Sequence, residues 1–109
     1  MEKELIIEGK KYVEEYNLEK LKNLYSRINS IIKENNGINY QNIFMKIFFH
    51  SCHLERVTII EFLMDVYNSF DPICKLGLRQ CFFYGKYLIK NKTLMDYYDK
   101  NIISKIRIN

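Results

Sequence analysis

Three side chains that could do chemistry stand within four residues near the middle of this 109-residue chain: His50, Cys52 and His53. Imidazole and thiolate groups bind zinc, and a cysteine beside a histidine can act as a nucleophile. A zinc site needs separated ligand pairs and a fourth donor, yet the other cysteines lie 22 and 29 residues on and no third histidine exists. The pattern favours a structural corner in which Cys52 fills space and His53 caps the next helix. A metal site and a Cys–His nucleophile stay open as alternatives.

Other catalytic patterns are missing from the sequence. It contains no GxGxxG, GxxxxGK[ST], GxSxG or HExxH motif. The carboxylates of Glu2, Glu4, Glu14 and Glu15 stand among lysines, which is typical of a solvated helix face. We therefore expect no enzymatic activity, no metal and no cofactor.

The composition indicates a single helical domain that covers residues 1–109. Hydrophobic residues make up 48% and charged residues 28%, with only four Gly and one Pro to interrupt helices or form linkers. No run approaches the roughly 18 apolar residues of a membrane span, and the charged start lacks the apolar core of a signal peptide. The expected location is intracellular, away from membranes, with Cys52, Cys74 and Cys81 reduced.

Apolar residues at helical spacing predict six helices that form pairs. Asn17 is a plausible N-cap for the second helix, and Gly37 and Pro72 mark the ends of the first two pairs. The predicted spans are approximately 5–16, 18–32, 41–51, 54–68, 74–84 and 91–105.

Two of these corners align without gaps at an offset of 36 residues. "YNLEKLKNL" at 16–24 matches "CHLERVTII" at 52–60, so Leu18, Leu21 and Leu24 correspond to Leu54, Val57 and Ile60. We expect all six side chains to be buried. A period of this length is typical of stacked helical repeats, which need about three units to hold a core. The predicted fold is all-α, with stacked helix-turn-helix pairs in units 1–36, 37–72 and 73–109.

Three segments resemble a degenerate ankyrin-type array, of the kind that giant DNA viruses of amoebae encode. These are "IIKENNGINYQN" at 31–42, "CHLERVTIIEFL" at 52–63, which is similar to the family's "GHLEVVKYL", and "LRQCFFYG" at 78–85. The T-P-L-H-x-A motif is absent, and Cys52 stands where the family favours Gly. The resemblance implies a viral protein-interaction scaffold that binds through its loops and inner helices.

The net charge of +4 is concentrated in the last third of the chain. Residues 1–36 hold seven basic and seven acidic side chains, residues 37–72 hold two and four, and residues 73–109 hold eight and two. Such a basic segment binds an acidic protein, contacts nucleic acid where aromatic side chains also stack, or forms the solvated cap of an array. The candidate binding residues are Lys86, Tyr87, Lys90, Lys92, Lys100, Lys105 and Arg107.

The sequence thus favours a non-enzymatic protein–protein interaction module whose partner has an acidic surface. The alternative is a small basic helical protein that binds nucleic acid through its C-terminal unit. A third possibility is a plain helical bundle that oligomerises through the aromatic residues Phe44, Phe48 and Phe49.

Overall fold

Helices form nearly all of the structure, a computed structural model that describes residues 1–34 and 38–108. No strand occurs within these two ranges, so the all-α prediction is confirmed. The last three elements follow one another without a break. In chain order the elements are α1 (Glu2–Glu14), α2 (Leu18–Glu34), α3 (Tyr40–His53), α4 (Val57–Asn68), α5 (Pro72–Lys86), α6 (Lys92–Tyr98), a π-helical turn (Asp99–Ile103) and α7 (Ser104–Ile108).

The odd-numbered helices α1, α3 and α5 form a layer in chain order, because α3 packs against both α1 and α5. Each of them also packs against the segment that follows it: α1 against α2, α3 against α4, and α5 against the π-helical turn. The predicted stack of helix pairs is therefore present. The third pair consists of α5 and the long segment from α6 to α7.

The core between the second and third pairs is aromatic. Phe48 and Phe82 are fully buried with ring centroids 4.8 Å apart, and Tyr67 lies 4.6 Å from Phe82. Phe44 and Phe70 meet edge to face at 5.5 Å. Such pairs add to the stabilisation from burial alone, because the ring edge and face carry opposite partial charges.

Two glycines let the odd-numbered helices approach closely on either side of α3. A methyl group at Gly9 in α1 would lie 2.3 Å from the δ-methyl of Ile47. A methyl group at Gly85 in α5 would lie 2.8 Å from Cε2 of Phe48 and 2.9 Å from Sγ of Cys52. The absence of a side chain at these two positions sets the spacing of the layer.

The corners after α1 and α3 share one backbone geometry. At the first corner, the N–H of Asn17 donates to the carbonyl of Tyr12 and the N–H of Tyr16 to that of Val13. Tyr16 has a positive φ of 53°, which is the Schellman ending of a helix. At the second corner the same bonds recur 39 residues later, around Glu55 with a φ of 58°.

The offset of 36 residues predicted from the sequence is therefore wrong by three. The fourth helix begins at Val57 and not at Leu54, which belongs to the end of α3. His53 is the last residue of α3 and caps nothing, since the N-cap of α4 is Arg56. The sequence alignment matched the apolar spacing of two segments at an offset of 36 residues, whereas the geometry of the turns repeats at an offset of 39.

The burial predicted from that alignment holds for only half of the six side chains. Leu21, Leu24 and Ile60 are buried. Leu18, Leu54 and Val57 are only partly buried because they stand at helix ends. The turn signal predicted at Gly37 lies outside the described residues.

Asparagine and aspartate begin four of the helices. In each case the side-chain oxygen accepts a hydrogen bond from the backbone N–H three residues further on, at 2.8–3.1 Å. This satisfies one of the N–H groups that a helix start leaves without a partner. The predicted cap Asn17 is confirmed; the four caps are Asn17, Asn39, Asp71 and Asn91.

Candidate binding surface

Four of the predicted binding residues lie around the turn between α5 and α6; we call this group the basic corner (Lys86, Tyr87, Lys90, Lys92). Helix α5 ends at Lys86, and Asn91 begins α6 by accepting the N–H of Leu94 at 3.1 Å. The ring of Tyr87 is 82% exposed, and Lys90 and Lys92 are exposed as well. The corner therefore presents an aromatic ring and cationic side chains to the solvent.

Lys86 differs from its neighbours because it is already paired. Its Nζ lies 2.8 Å from Oδ2 of Asp99, and the Lys86 side chain is only 34% exposed. Part of its charge is therefore neutralised within the protein. The pairing also ties the end of α5 to the π-helical turn.

The backbone of the basic corner is held by Glu55, the positive-φ residue of the second corner. Its Oε2 accepts the N–H groups of Lys90 and Asn91, each at 2.8 Å. These bonds, first that from Asn91 and then that from Lys90, lower the pKa of the Glu55 carboxyl below its usual value. A carboxylate from the second helix pair thus fixes where the third pair presents its lysines.

The other predicted residues are spread along the last helical segment. Lys100 is exposed in the π-helical turn, two helical turns beyond Lys92. Lys105 is exposed in α7 but lines a groove together with Glu61 and Asp65 of α4, so acidic groups face it. The side chain of Arg107 lies outside the described part of the structure. The structure thus brings the basic corner together and separates Lys105 from it.

The corner that holds His50, Cys52 and His53 is structural in its contacts. Burial raises the pKa of the Cys52 thiol well above its usual value, which disfavours the thiolate needed for nucleophilic attack or metal binding. The Nε2 atom of His50 lies 3.0 Å from Oε1 of Glu14, and His53 is exposed. Within residues 1–34 and 38–108, no group of three or more His, Cys, Asp or Glu side chains could hold a metal ion.

Sequence reasoning missed two exposed apolar side chains on α5, Ile73 at 84% and Leu76 at 73% exposure; Tyr84 on the same helix is 68% exposed. The available signal was a second apolar stripe. Helix α5 buries Leu78 and Phe82 on one face, yet it also carries large apolar residues on the opposite face. A helix that is apolar on two faces has more apolar surface than one core can cover.

The fold and this surface define a class: an all-helical stack of paired helices with a basic, aromatic edge on its third pair. Among the described residues, none of the helices combines the length and apolar character that a membrane crossing requires. Comparison with known proteins adds no family to this class, because no family model, curated protein or solved structure matches the chain.

Proposed function

We propose that this chain is a non-enzymatic module that binds a second protein, whose acidic surface contacts the basic corner and the adjoining Lys100. One observation carries the proposal. Residues 72–95, which include α5 and the basic corner, contain five basic side chains and no acidic one. A surface with one sign of charge attracts a partner of the opposite sign and raises the rate of encounter.

The exposed cations carry this field unequally. Lys86 is paired with Asp99, whereas Lys90, Lys92 and Lys100 are exposed and form no ion pair within the described residues. Exposed charges at the edge of an interface act mainly on association and on its salt dependence, because solvent screens them. We therefore assign the steering to these three lysines and a mainly structural part to Lys86.

The stacked helix pairs support a scaffold function of the kind that the ankyrin-type resemblance implies. In such arrays each unit contacts its neighbours, so side chains on the outer faces can vary without loss of the core. The ankyrin-type relationship, a giant-virus origin and an intracellular location stay predictions from the sequence.

A second candidate function is the binding of single-stranded nucleic acid. The rings of Tyr84 and Tyr87 are 68% and 82% exposed beside Lys86 and Lys90, and bases stack on such rings. The mark of this function is a linear fall of log affinity with log salt, at a slope of about 0.7 per phosphate neutralised on a single strand.

Charge reversal tests the proposal directly. Lys92→Glu/Lys100→Glu alters two exposed residues of the third pair, and Lys3→Glu/Lys11→Glu makes the same change of net charge on exposed residues of α1. Partners are captured from a lysate of the source cell, with and without nuclease, and the association rate with the recovered protein is then measured.

We expect nuclease-resistant capture and an association rate about tenfold lower for the first variant, with the α1 variant unchanged. Loss of all captured material on nuclease treatment would favour nucleic acid. Equal rates for both variants would refute a partner at this surface.

A further inference from the structure

Exposed apolar side chains are concentrated on one helix of the stack. Among the described residues, eight large hydrophobic side chains are exposed, and four of them lie on α5 or at its C-cap. Single exposed apolar residues are ordinary on a protein surface, but a contiguous group marks an interaction site. We call this group the α5 stripe: Ile73, Leu76, Tyr84 and Tyr87.

The α5 stripe lies along one face of the helix, with the exposed Gln80 between its two halves. Its members follow Ile73 by 3, 11 and 14 residues, a spacing that keeps them on one side of an α-helix. At 1.5 Å per residue the stripe is about 21 Å long. The side chains of Leu78 and Phe82 are buried on the opposite face.

An apolar groove on α3 widens the stripe on one side. Met45 and Phe49 of α3 line this groove together with Gly77, Cys81 and Tyr84 of α5. The rings of Phe49 and Tyr84 lie 6.1 Å apart, so the groove and the stripe form one surface. Gln80 of α5 also lines the groove.

A row of cations borders the stripe on the other side. Lys75, Arg79 and Lys86 are spaced by four and seven residues, so they lie along one edge of α5. Each is partly exposed, and α5 itself contains no acidic side chain. Lys75 Nζ lies 5.8 Å from the ring centroid of Tyr67, and Lys86 pairs with Asp99.

From this arrangement we propose that the α5 stripe docks an amphipathic helix of the partner protein. The apolar face of that helix covers Ile73, Leu76, Tyr84 and Tyr87, and acidic residues along its edge meet Lys75 and Arg79. An amphipathic helix in a groove is a common recognition mode, with anchors at i, i+3, i+4 and i+7. This inference rests on the proposed function and specifies the type of partner, an acidic amphipathic helix, and its binding site, the α5 stripe.

Charge complementarity selects this occupant over a second copy of the chain. Two copies that meet stripe to stripe with antiparallel helices would bring two rows of cations together, and like charges opposed across an interface lower affinity. A basic helix is disfavoured for the same reason. An acidic edge is matched by every charged side chain that α5 carries.

The test uses two synthetic helical peptides of about 16 residues, long enough to cover the stripe. Both carry the same leucine face; one has glutamates along its edges and the other has lysines. The full chain, labelled with ¹⁵N, is titrated with each peptide, and amide shifts and dissociation constants are measured.

We expect the acidic peptide to bind at least about tenfold more tightly than the basic one, with amide shifts confined to α5 and the outer side of α3. Leu76→Ser should weaken binding by about tenfold and leave the fold intact, because Leu76 is already 73% exposed. The matched control is Ile7→Ser on α1, an apolar residue 58% exposed, which should bind as the parent does.

Equal binding of both peptides, shifts outside α3 and α5, or a Leu76→Ser variant that binds normally would each overturn the inference. Concentration-dependent self-association that Leu76→Ser abolishes would assign the stripe to a second copy instead. If Lys92→Glu/Lys100→Glu weakens capture of the native partner while Leu76→Ser does not, this inference fails and the proposed function stands. If neither variant weakens capture, both fail.

Discussion

The two junctions of the stack are held together by different chemistry. Between the first and second pairs, Arg56 donates from Nε to the carbonyl of Val13 at 3.2 Å and from Nη2 to that of Glu14 at 3.0 Å. Its guanidinium also stacks 4.9 Å from the ring centroid of Tyr16. One side chain thus supplies a donor to the Glu14 carbonyl and a second donor to the Val13 carbonyl, which also accepts the N–H of Tyr16. Between the second and third pairs, no basic side chain in the described structure does this for α3.

The second junction relies instead on buried rings and on one inserted acceptor. Phe48 and Phe82 pack at its centre. Within the third pair, the hydroxyl of Tyr98 donates to the carbonyl of Phe82 at 2.6 Å. Glu55 holds the start of α6. Because these rings are close-packed, the junction is sensitive to changes in side-chain volume.

One device is common to both junctions. The positive-φ residue of each corner contacts the start of the even-numbered helix in the following pair. The hydroxyl of Tyr16 accepts the N–H of Thr58 in α4, and Glu55 accepts the N–H groups of Lys90 and Asn91 before α6. Glycine would adopt this backbone with less strain, but it would lose the connection. The side chain therefore explains why a non-glycine residue stands there.

The largest effect should come from the aromatic core of the second junction. Phe82→Ala should lower the free energy of unfolding by about 3–5 kcal/mol, because a fully buried ring is replaced by a cavity. Chemical denaturation measures this change. Phe82→Leu is the control, and its cost should be clearly smaller. Equal effects of the two variants would mean that the site collapses around either residue.

The next largest loss in free energy of unfolding should come from adding a methyl group where two helices are in close contact at the second junction. Gly85→Ala should cost about 1–3 kcal/mol, since the new methyl would meet the ring of Phe48 and the sulfur of Cys52. Gly77→Ala on the same helix should be neutral or stabilise by about 0.4–1 kcal/mol, because only the tip of Gln41 is near. Gly9→Ala should also cost about 1–3 kcal/mol, since the new methyl would overlap the fully buried side chain of Ile47. Thermal unfolding of the three variants ranks them.

At the first junction we expect the loss of hydrogen bonds from Arg56 to lower the free energy of unfolding by about 1–2 kcal/mol. Arg56→Met keeps the aliphatic stem but leaves the Glu14 carbonyl without a donor and the Val13 carbonyl with only the N–H of Tyr16. Arg27→Met is the matched control, because Arg27 is 54% exposed and its surface pair with Glu8 should contribute at most about 1 kcal/mol. If urea denaturation shows the same loss in free energy of unfolding for both variants, the hydrogen bonds of Arg56 contribute no more than a surface ion pair.

The smallest effect should be that of Glu55→Gln, and it should depend on pH. The pKa of Glu55 is lowered in the folded state by bonds from Asn91 and Lys90. Its stabilisation is therefore fully present above the unfolded pKa of about 4.3 and is lost as pH falls through the folded pKa. The melting temperatures of parent and variant should differ at pH 7 and converge near pH 3. Glu19→Gln, which removes an exposed carboxylate of α2, is the matched control for the loss of one surface charge.

Several elements of the fold were predictable because their signals are local. Asn17 was recognised as a cap from its residue type, and helical spacing gave the third and fifth helices within a few residues. The start of α4 was not predictable, because arginine is not a capping residue and Glu55 is not the glycine expected at a Schellman ending.

The residue types of the candidate surface were predictable from the sequence, but their spatial arrangement was not. Counting charges finds the basic third of the chain, but the pairing of Lys86 with Asp99 depends on how α5 meets the π-helical turn. Likewise, the sequence shows that Ile73 and Leu76 are apolar without showing that no helix covers them. Which apolar face is left open is decided only when the last helix pair packs.

The position of α3 in the layer has a consequence for motion. It is flanked by α1 on one side and α5 on the other, whereas each of those helices has one side without such a neighbour in the described structure. Stacks with nearest-neighbour contacts open from their ends, so fraying should begin at the outer helices. Amide protons of Ile43, Phe44 and Ile47 should then exchange with deuterium most slowly in the chain. The chain would carry a rigid centre and two softer margins, and its candidate binding helix lies at one margin.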